Sequence, residues 1–412
     1  MFRLGKFKTS FLYIIFEGLS RGGNSLIFLF AASLLVKTDY INLLALFSLE
    51  GLFVIFSPLY YSEVLYKVRD KYNSITVNNS VFLLTIIYLC VLSLIILFFS
   101  NFLTNYYSSP LFIFILIAFN SSARIIFQNK SVNNQVDEHH KNAIQDKALP
   151  FFASFIFGLI GFLSFEDKIA GFFIGRSIGY FLVIALYFTN IKNNIRITLD
   201  IDVSFLRDYF SRTSLLILRG IATWFLGYGI LNLLKGWYPV DTNHQIGLIL
   251  NIWNVFLLIA NGINAIYLPA FRKAFLKLDK SENRIYRKIT AGYFSILLVS
   301  VFVFFVFKID YLQKVISFLS LESYYNQIPY VLMIYMAQIF QYISMPYFLV
   351  YDRFKMLAVI GIATSLISLL MIVFHYYFEI DFLISIVSLF VITYYIRSLP
   401  LFLYQKLFLK KI

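Results

Sequence analysis

Long apolar segments recur along the whole chain, each close to the length of a membrane-spanning helix. A helix needs about 20 apolar residues to cross the hydrocarbon core of a bilayer, and the polar stretches between these segments are short. The pattern predicts an all-α polytopic membrane protein with about twelve transmembrane helices. The predicted spans are Ser10–Val36, Ile41–Val64, Ser80–Phe99, Pro110–Phe127, Leu149–Phe165, Ile169–Thr189, Ser214–Leu234, Ile246–Phe271, Ile289–Phe307, Ile328–Val350, Met356–Tyr377 and Phe382–Tyr404.

The first span carries a polar stripe in an otherwise apolar helix. At about 100° per residue, Glu17, Arg21 and Asn24 fall on one narrow face together with Tyr13 and Phe28. Charges at membrane depth cost roughly a few kcal/mol or more and usually face a bundle interior or a wet cavity. Two hypotheses follow: Glu17 and Arg21 neutralise each other and pack the bundle, or Arg21 binds an anionic substrate while Glu17 restrains it or takes a proton.

Composition and charge agree with this class and set an orientation. The chain is 60% hydrophobic and only 14% charged, against roughly 25% charged residues in soluble domains. Basic residues favour the segments on the side of the N-terminus by about five to one, which predicts that both termini face the cytoplasm. The net charge of +14 is therefore explained by topology, and nucleic acid is not expected as a partner. The single cysteine, Cys90, excludes an internal disulfide and a multi-cysteine metal site.

The spacing of the spans indicates an internal duplication. Corresponding spans of the two halves are separated by about half of the chain, and the second and eighth spans each carry a late proline, Pro58 and Pro269, before a basic stretch. Six plus six spans is a transporter pattern in which the substrate path lies between the halves. We expect a six-helix lobe at residues 1–191, an amphipathic cytoplasmic linker at 192–212, and a second six-helix lobe at 213–412.

The chain resembles the Wzx-type O-antigen and polysaccharide flippases of the multidrug/oligosaccharidyl-lipid/polysaccharide (MOP) exporter superfamily. The resemblance covers the whole chain and rests on twelve spans with both termini inside, short loops, a basic charge, and the run that opens the second half, FLRDYFSRTSLLILRGIATWFLGYGILNLL. It implies a MATE-like fold of two six-helix lobes around a V-shaped cavity. It also implies alternating access and the flipping of an undecaprenyl-pyrophosphate-linked sugar repeat from the cytoplasmic to the periplasmic leaflet of the bacterial inner membrane. Family members use cationic and aromatic cavity residues.

Three further charged residues lie deep inside predicted spans. At about 1.5 Å per residue, Arg176 is about 10 Å and Arg219 about 8 Å from a span end, and Arg219 occupies the helix that corresponds to the first span. Both are candidates for binding an anionic substrate, beside Arg21. Glu50 has no basic partner on its own helix, so it either takes up a proton in ion coupling or pairs with an arginine of another helix, Arg21 or Arg176.

A polar face of amides marks the eighth span. Asn251, Asn254, Asn261 and Asn264 lie within roughly 140° of the helix circumference. Amides and neighbouring aromatic rings suit sugar hydroxyls, so these residues are candidates for substrate binding, together with Asn24 of the first span. The alternative for any one of them is hydrogen bonding between helices, which is common for asparagine in membranes.

Three functions compete at this stage. The leading hypothesis is a flippase for a lipid-linked oligosaccharide, which needs no catalytic residue and no cofactor; other membrane proteins of polysaccharide assembly are further potential partners. The second is an O-antigen polymerase or another membrane glycosyltransferase, although the longest outer segment carries few charges. The third is a cation-coupled multidrug antiporter of the same fold, with Glu17 and Glu50 as ion sites. The paired His139 and His140 lack further ligands at metal-binding spacing, so no metal is expected.

Overall fold

The computed structural model describes residues 24–57, 72, 74–136, 140–191, 202–225, 227–256, 281–306, 322–350, 353–379 and 384–409. These ranges are almost entirely helical and contain no strand, as expected where lipid cannot satisfy exposed backbone groups. The helices are α1 (Asn24–Leu34), α2 (Lys37–Phe56), α3 (Ser74–Phe98), α4 (Ser100–Tyr107), α5 (Leu111–Val136), α6 (His140–Ser164), α7 (Lys168–Ile191), α8 (Val203–Phe225), α9 (Gly229–Leu234), α10 (240–256), α11 (Ser281–Val306), α12 (Glu322–Tyr325), α13 (Ile328–Val350), α14 (Phe354–Tyr377) and α15 (Ile386–Tyr404), which continues into a π-helical turn, Gln405–Leu409.

Many of these helices could cross a bilayer. Among the described residues, 7 helices are long and apolar enough to do so, and the bent pair α3–α4 raises the number to 8. Shorter apolar helices at Asn24–Leu34, Leu216–Phe225 and Ile328–Ser344 also fall on predicted spans. The prediction of an all-α polytopic membrane protein is confirmed, whereas the count of twelve spans and the orientation stay predictions.

Several helices extend beyond their predicted spans because polar residues continue the helix past the apolar segment, and α3 and α6 are two examples. The third span was expected at Ser80–Phe99, but α3 begins six residues earlier, at Ser74, and the chain bends by 74° at its end before α4 begins. The fifth span was expected to begin at Leu149, but α6 begins at His140 and runs through Pro150. Membrane helices tolerate an internal proline where neighbouring groups satisfy the freed carbonyl.

The predicted cytoplasmic linker is helical over its second half. Val203 begins α8, which continues without a break into the seventh predicted span as far as Phe225. Asp202 caps this helix, because its carboxylate accepts a hydrogen bond from the backbone N–H of Phe205 at 2.9 Å. The hydrogen bonds from Ser204 and Phe205 also hold the pKa of Asp202 below its ordinary value. The amphipathic stretch is therefore the first half of a longer helix.

The helices group into two compact units. One unit comprises residues 42–224, and the other comprises residues 1–41 together with 225–412. These boundaries differ from the predicted lobes, since the first segment groups with the second half of the chain. The predicted lobes were defined by an internal repeat, whereas the compact units are defined by packing. The division into lobes at residues 191 and 213 therefore stays a prediction.

In the unit of residues 42–224, α6 and α7 pack backbone against backbone through glycines. A Cβ atom on Gly175 would lie 2.0 Å from the carbonyl oxygen of Phe157, and one on Gly161 would lie 2.0 Å from that of Gly171. A Cβ on Gly179 would likewise lie 2.5 Å from the carbonyl oxygen of Ala153. Small residues allow such close approach of membrane helices, and this packing fixes the position of the polar residues that α7 carries.

Candidate functional site

The predicted site residues that the structure describes fall into two groups, one in each compact unit. Glu17, Arg21, Asn261 and Asn264 lie outside the described residues, and their roles stay predictions. The remaining ones are divided between the two units: Glu50, Arg176 and Arg219 belong to the unit of residues 42–224, and Asn24, Asn251 and Asn254 belong to the other unit.

The first group is centred on an ion pair between α2 and α7. Arg176 donates a hydrogen bond from Nη2 to Oε1 of Glu50 at 2.7 Å. The two side chains are 1% and 0% exposed, respectively, so the charges are removed from water. Of the two arginines considered as partners for Glu50, the structure pairs it with Arg176.

Aromatic rings enclose the guanidinium group of Arg176. Its central carbon lies 5.1 Å from the ring centre of Phe47, 5.3 Å from that of Phe172 and 6.0 Å from that of Tyr180. These distances fit cation–π attraction, which is strongest when the cation is desolvated. Gly158 of α6 makes room for the stem of the arginine, because a Cβ atom there would lie 2.7 Å from Cγ of Arg176.

The ion pair leaves part of its hydrogen-bonding capacity unused. Within the described part of the chain, Nε and Nη1 of Arg176 and Oε2 of Glu50 have no hydrogen-bond partner. Buried polar groups normally find partners, and unsatisfied charged ones are costly. The guanidinium can therefore donate to a further acceptor, such as an anion or a water molecule, without first losing another protein contact.

A polar contact beside the ion pair was not among the predicted sites. Ser177, which follows Arg176 on α7, donates to Oδ1 of Asn120 on α5 at 2.9 Å. Asn120 is fully buried, and its Nδ2 has no partner within the described ranges. An asparagine in the middle of the fourth predicted span was the signal in the sequence that could have identified this contact.

Arg219 lies on α8, in the same unit as the ion pair. Its side chain is partly exposed, in contrast to the buried Arg176, and it is not the arginine bound to Glu50. Its predicted role in substrate binding stays a prediction.

The second group forms a hydrogen-bonded network around the hydroxyl of Tyr228, which precedes α9. This hydroxyl donates to Oδ1 of Asn251, accepts from Nδ2 of Asn254 at 2.8 Å, and lies 3.3 Å from Oγ of Ser25. Nδ2 of Asn251 in turn donates to the hydroxyl of Tyr40. Two of the predicted asparagines thus share one tyrosine, and the network consists of neutral donors and acceptors.

A histidine and an exposed ion pair lie near Tyr40 of the network. Tyr40 packs against the ring of His244 at 5.2 Å, and Lys37 forms an ion pair with Asp241. The hydrogen bond from Lys37 holds the pKa of Asp241 below its ordinary value. His244 precedes the predicted eighth span, and burial, followed by the nearby charge of Lys37, lowers its pKa.

Asn24 lies at the start of α1, next in sequence to Ser25 of the network. Its Oδ1 is buried and has no hydrogen-bond partner among the described residues. The asparagine therefore retains an acceptor that a ligand hydroxyl or a water molecule can use.

Removing the hydroxyl of Tyr228 should destabilise this unit. Tyr228→Phe removes the donor to Oδ1 of the buried Asn251 and the acceptor for Nδ2 of the partly buried Asn254, and we expect a loss of about 1–3 kcal/mol, measured as a lower melting temperature of the detergent-purified protein. Tyr325→Phe is the matched control, since Tyr325 gives one hydrogen bond to the carbonyl oxygen of Phe304. Equal melting temperatures for the two variants would contradict a central role of Tyr228.

Solved structures of other proteins share the fold of this chain. No protein-family model matches the chain, and no curated protein matches it. Solved structures do match. An inward-facing multidrug resistance MATE family transporter of the MOP superfamily superposes with a TM-score of 0.63 at 15% identity, covering 98% of this chain and 95% of that chain.

The chain has the MATE fold. Two further structures agree. A MATE in the straight conformation gives a TM-score of 0.62 at 13% identity, and the eukaryotic MATE transporter AtDTX14 gives 0.56 at 11%; each comparison covers 98% of this chain and 95% of the other. The predicted MATE-like fold is confirmed. At these identities the likeness concerns the fold alone, and the resemblance to Wzx-type flippases stays a prediction.

Proposed function

We propose that this protein is a membrane transporter that moves an undecaprenyl-pyrophosphate-linked oligosaccharide from the cytoplasmic to the periplasmic leaflet of a bacterial inner membrane by alternating access. The MATE fold supports transport, because the solved proteins that share it are described as transporters. The observation that carries the choice of an anionic substrate is Arg176, a buried cation with unused N–H groups.

Arg176 suits an anion for a physical reason. A guanidinium that has already lost its water gains more from a phosphate oxygen than an exposed one does, since both interact through a low dielectric. The charge of Glu50 keeps Arg176 compensated while no substrate is bound. A pyrophosphate oxygen would accept from the unused Nε and Nη1 of Arg176, and its negative charge beside the carboxylate would weaken the pair with Glu50.

The network around Tyr228 supports a carbohydrate headgroup. Asn251, Asn254 and Asn24 offer neutral amide donors and acceptors, and Tyr40 and Tyr228 add hydroxyls and ring faces. Sugars present the same kinds of groups, so this network can exchange its internal hydrogen bonds for bonds to a sugar at little net electrostatic cost.

A multidrug antiporter is the second candidate. The solved structures with this fold include proteins described as multidrug resistance transporters, and the buried carboxylate of Glu50 is the kind of group that can carry a proton or cation. In this case Arg176 would pair with Glu50 while no drug is bound, and a cationic drug would compete with Arg176 for the carboxylate.

Deleting and restoring the gene in the parent organism separates these candidates. We expect deletion to remove all repeat units from the surface polysaccharide while lipid-linked single repeats remain inside the cell, and the wild-type gene to restore the profile. Single repeats on surface lipid would indicate a polymerase instead. An unchanged polysaccharide profile with increased sensitivity to cationic drugs would overturn the flippase proposal in favour of the antiporter.

A further inference from the structure

We propose that α4 and the end of α3 form a lipid-binding anchor that lies in the interface of the bilayer, on the side that the predicted topology assigns to the periplasm. Lipids would contact this surface at the depth where their headgroups meet their acyl chains. The proposal is independent of which substrate the protein carries.

The direction of α4 is the first observation. The segment Phe82–Phe98 of α3 and the segment Ser100–Tyr107 of α4 enclose an angle of 74°. The backbone hydrogen bonds from Phe99 to Ile95 and from Leu103 to Phe99, both 3.0 Å, connect the two helices across the bend. If α3 crosses the membrane, α4 runs close to the membrane plane, as interfacial amphipathic helices do.

The side chains of α4 are sorted onto three faces. Tyr107 is buried, and Leu103 is partly buried on the same side. Phe102 is 62% exposed and stacks on Tyr106 with ring centres 5.7 Å apart, which forms an aromatic face. Asn101 and Asn105 are exposed beside it and form a polar face. A helix with a protein-facing, an aromatic and a polar side fits a location between protein, lipid and water.

The surroundings of α4 favour lipid over a protein partner. The aromatic face continues into the exposed apolar surface of α3, where Leu94 is 66% and Phe98 is 83% exposed. No charged residue occurs in Ser100–Tyr107, so the helix offers no ion pair that would select a protein. Phenylalanine and tyrosine side chains of this kind tolerate the interface because an apolar ring and a wet edge are both satisfied there.

The anchor is tied to the body of its unit at its far end. Asn42 of α2 donates to the carbonyl oxygen of Tyr107 at 2.6 Å, and the ring of Tyr107 packs on Phe114 of α5 at 5.6 Å. Ser108 closes α4 in a left-handed conformation with φ of 48°. Lipid contact at α4 would therefore hold the adjacent ends of α2, α3 and α5 at one membrane depth.

Fluorescence quenching by lipids tests the proposal. Cys90 is the only cysteine, so Cys90→Ser gives a background for single-cysteine variants at Phe102, Asn101 and Leu94, each labelled with bimane in phosphatidylcholine vesicles. We expect nitroxide lipids labelled near the headgroup to quench position 102 most, those labelled near the chain end to quench position 94 most, and aqueous iodide to quench position 101 most.

Two outcomes would overturn the anchor. Quenching of position 102 by iodide and by neither lipid would place the aromatic face in water, where it would be free for a protein partner. Stronger quenching of position 102 by the deep nitroxide than by the shallow one would place α4 inside the hydrocarbon core as a re-entrant segment. Interfacial helices bury their apolar face by about 5–10 Å, so the shallow and deep probes distinguish these cases.

Discussion

Glu50→Ala should lower the free energy of unfolding by about 3–5 kcal/mol, because it leaves the guanidinium of Arg176 buried without its counter-charge. Arg176→Ala should have an effect of similar size, since it leaves the carboxylate unpaired. The measurement is the amount of monodisperse protein extracted from membranes, together with its melting temperature in detergent. Both side chains are almost fully buried, so solvent cannot replace the missing partner.

A double variant separates the structural from the functional role of the pair. Replacing a buried ion pair by apolar residues of similar volume is often neutral or stabilising, so Glu50→Leu combined with Arg176→Met should recover much of the lost melting temperature. We expect the double variant to fold and yet to give no surface polysaccharide. Normal polysaccharide levels would show that the pair serves packing only. A wild-type melting temperature for Glu50→Ala would contradict the stabilising role of the pair.

Arg176→Lys adds a test of geometry. Lysine keeps the positive charge but offers a compact ammonium in place of a planar group with several fixed donors. It should therefore retain part of the stability, through the charge facing Glu50, and lose more of the transport. Full retention of both stability and transport in Arg176→Lys would contradict this expectation and assign both to the charge alone.

The spans were predictable from the sequence because the membrane imposes a length of apolar chain on each of them. The tenth predicted span, Ile328–Val350, has the same bounds as α13. The bend after Phe98 was not predictable, since apolar residues continue through Phe99 and no proline or glycine marks the change of direction. The start of α8 was missed because amphipathic sequence alone does not distinguish a surface helix from the first half of a longer one.

The pairing within the candidate sites depends on which helices are neighbours. Helical periodicity placed Glu50 and Arg176 inside their spans, but periodicity acts within one helix and left two possible partners for Glu50. The same limit applies to the amides: Asn251 and Asn254 were expected on one face, whereas the hydroxyl of Tyr228 that joins them comes from the segment before α9. Only the structure could identify these contacts, because they join residues that are far apart in the sequence.

Gly175→Ala should produce the second large effect. Its Cβ atom would lie 2.0 Å from the carbonyl oxygen of Phe157 and 3.1 Å from Cα of Gly158, which are backbone atoms that cannot move aside as a side chain can. Overpacking typically costs about 1–3 kcal/mol and occasionally more, and here α6 and α7 must separate. Because Arg176 follows Gly175 directly, the separation should also displace the guanidinium from Glu50. We expect a sharply lower yield of folded protein and loss of transport.

Two glycine variants serve as controls for Gly175→Ala. Gly51 lies on α2 in the same unit, where a Cβ atom would meet only Cδ1 of Trp224 at 3.9 Å, an ordinary contact, and Gly236 has nothing within 4 Å. Alanine at Gly51 should preserve or slightly raise the melting temperature, since alanine favours a helix by about 1 kcal/mol over glycine. Similar melting temperatures for the Gly175 and Gly51 variants would contradict the backbone contact between α6 and α7. If such a stable Gly175→Ala protein has also lost transport, the main effect of the alanine is to displace Arg176 and not to separate the helices.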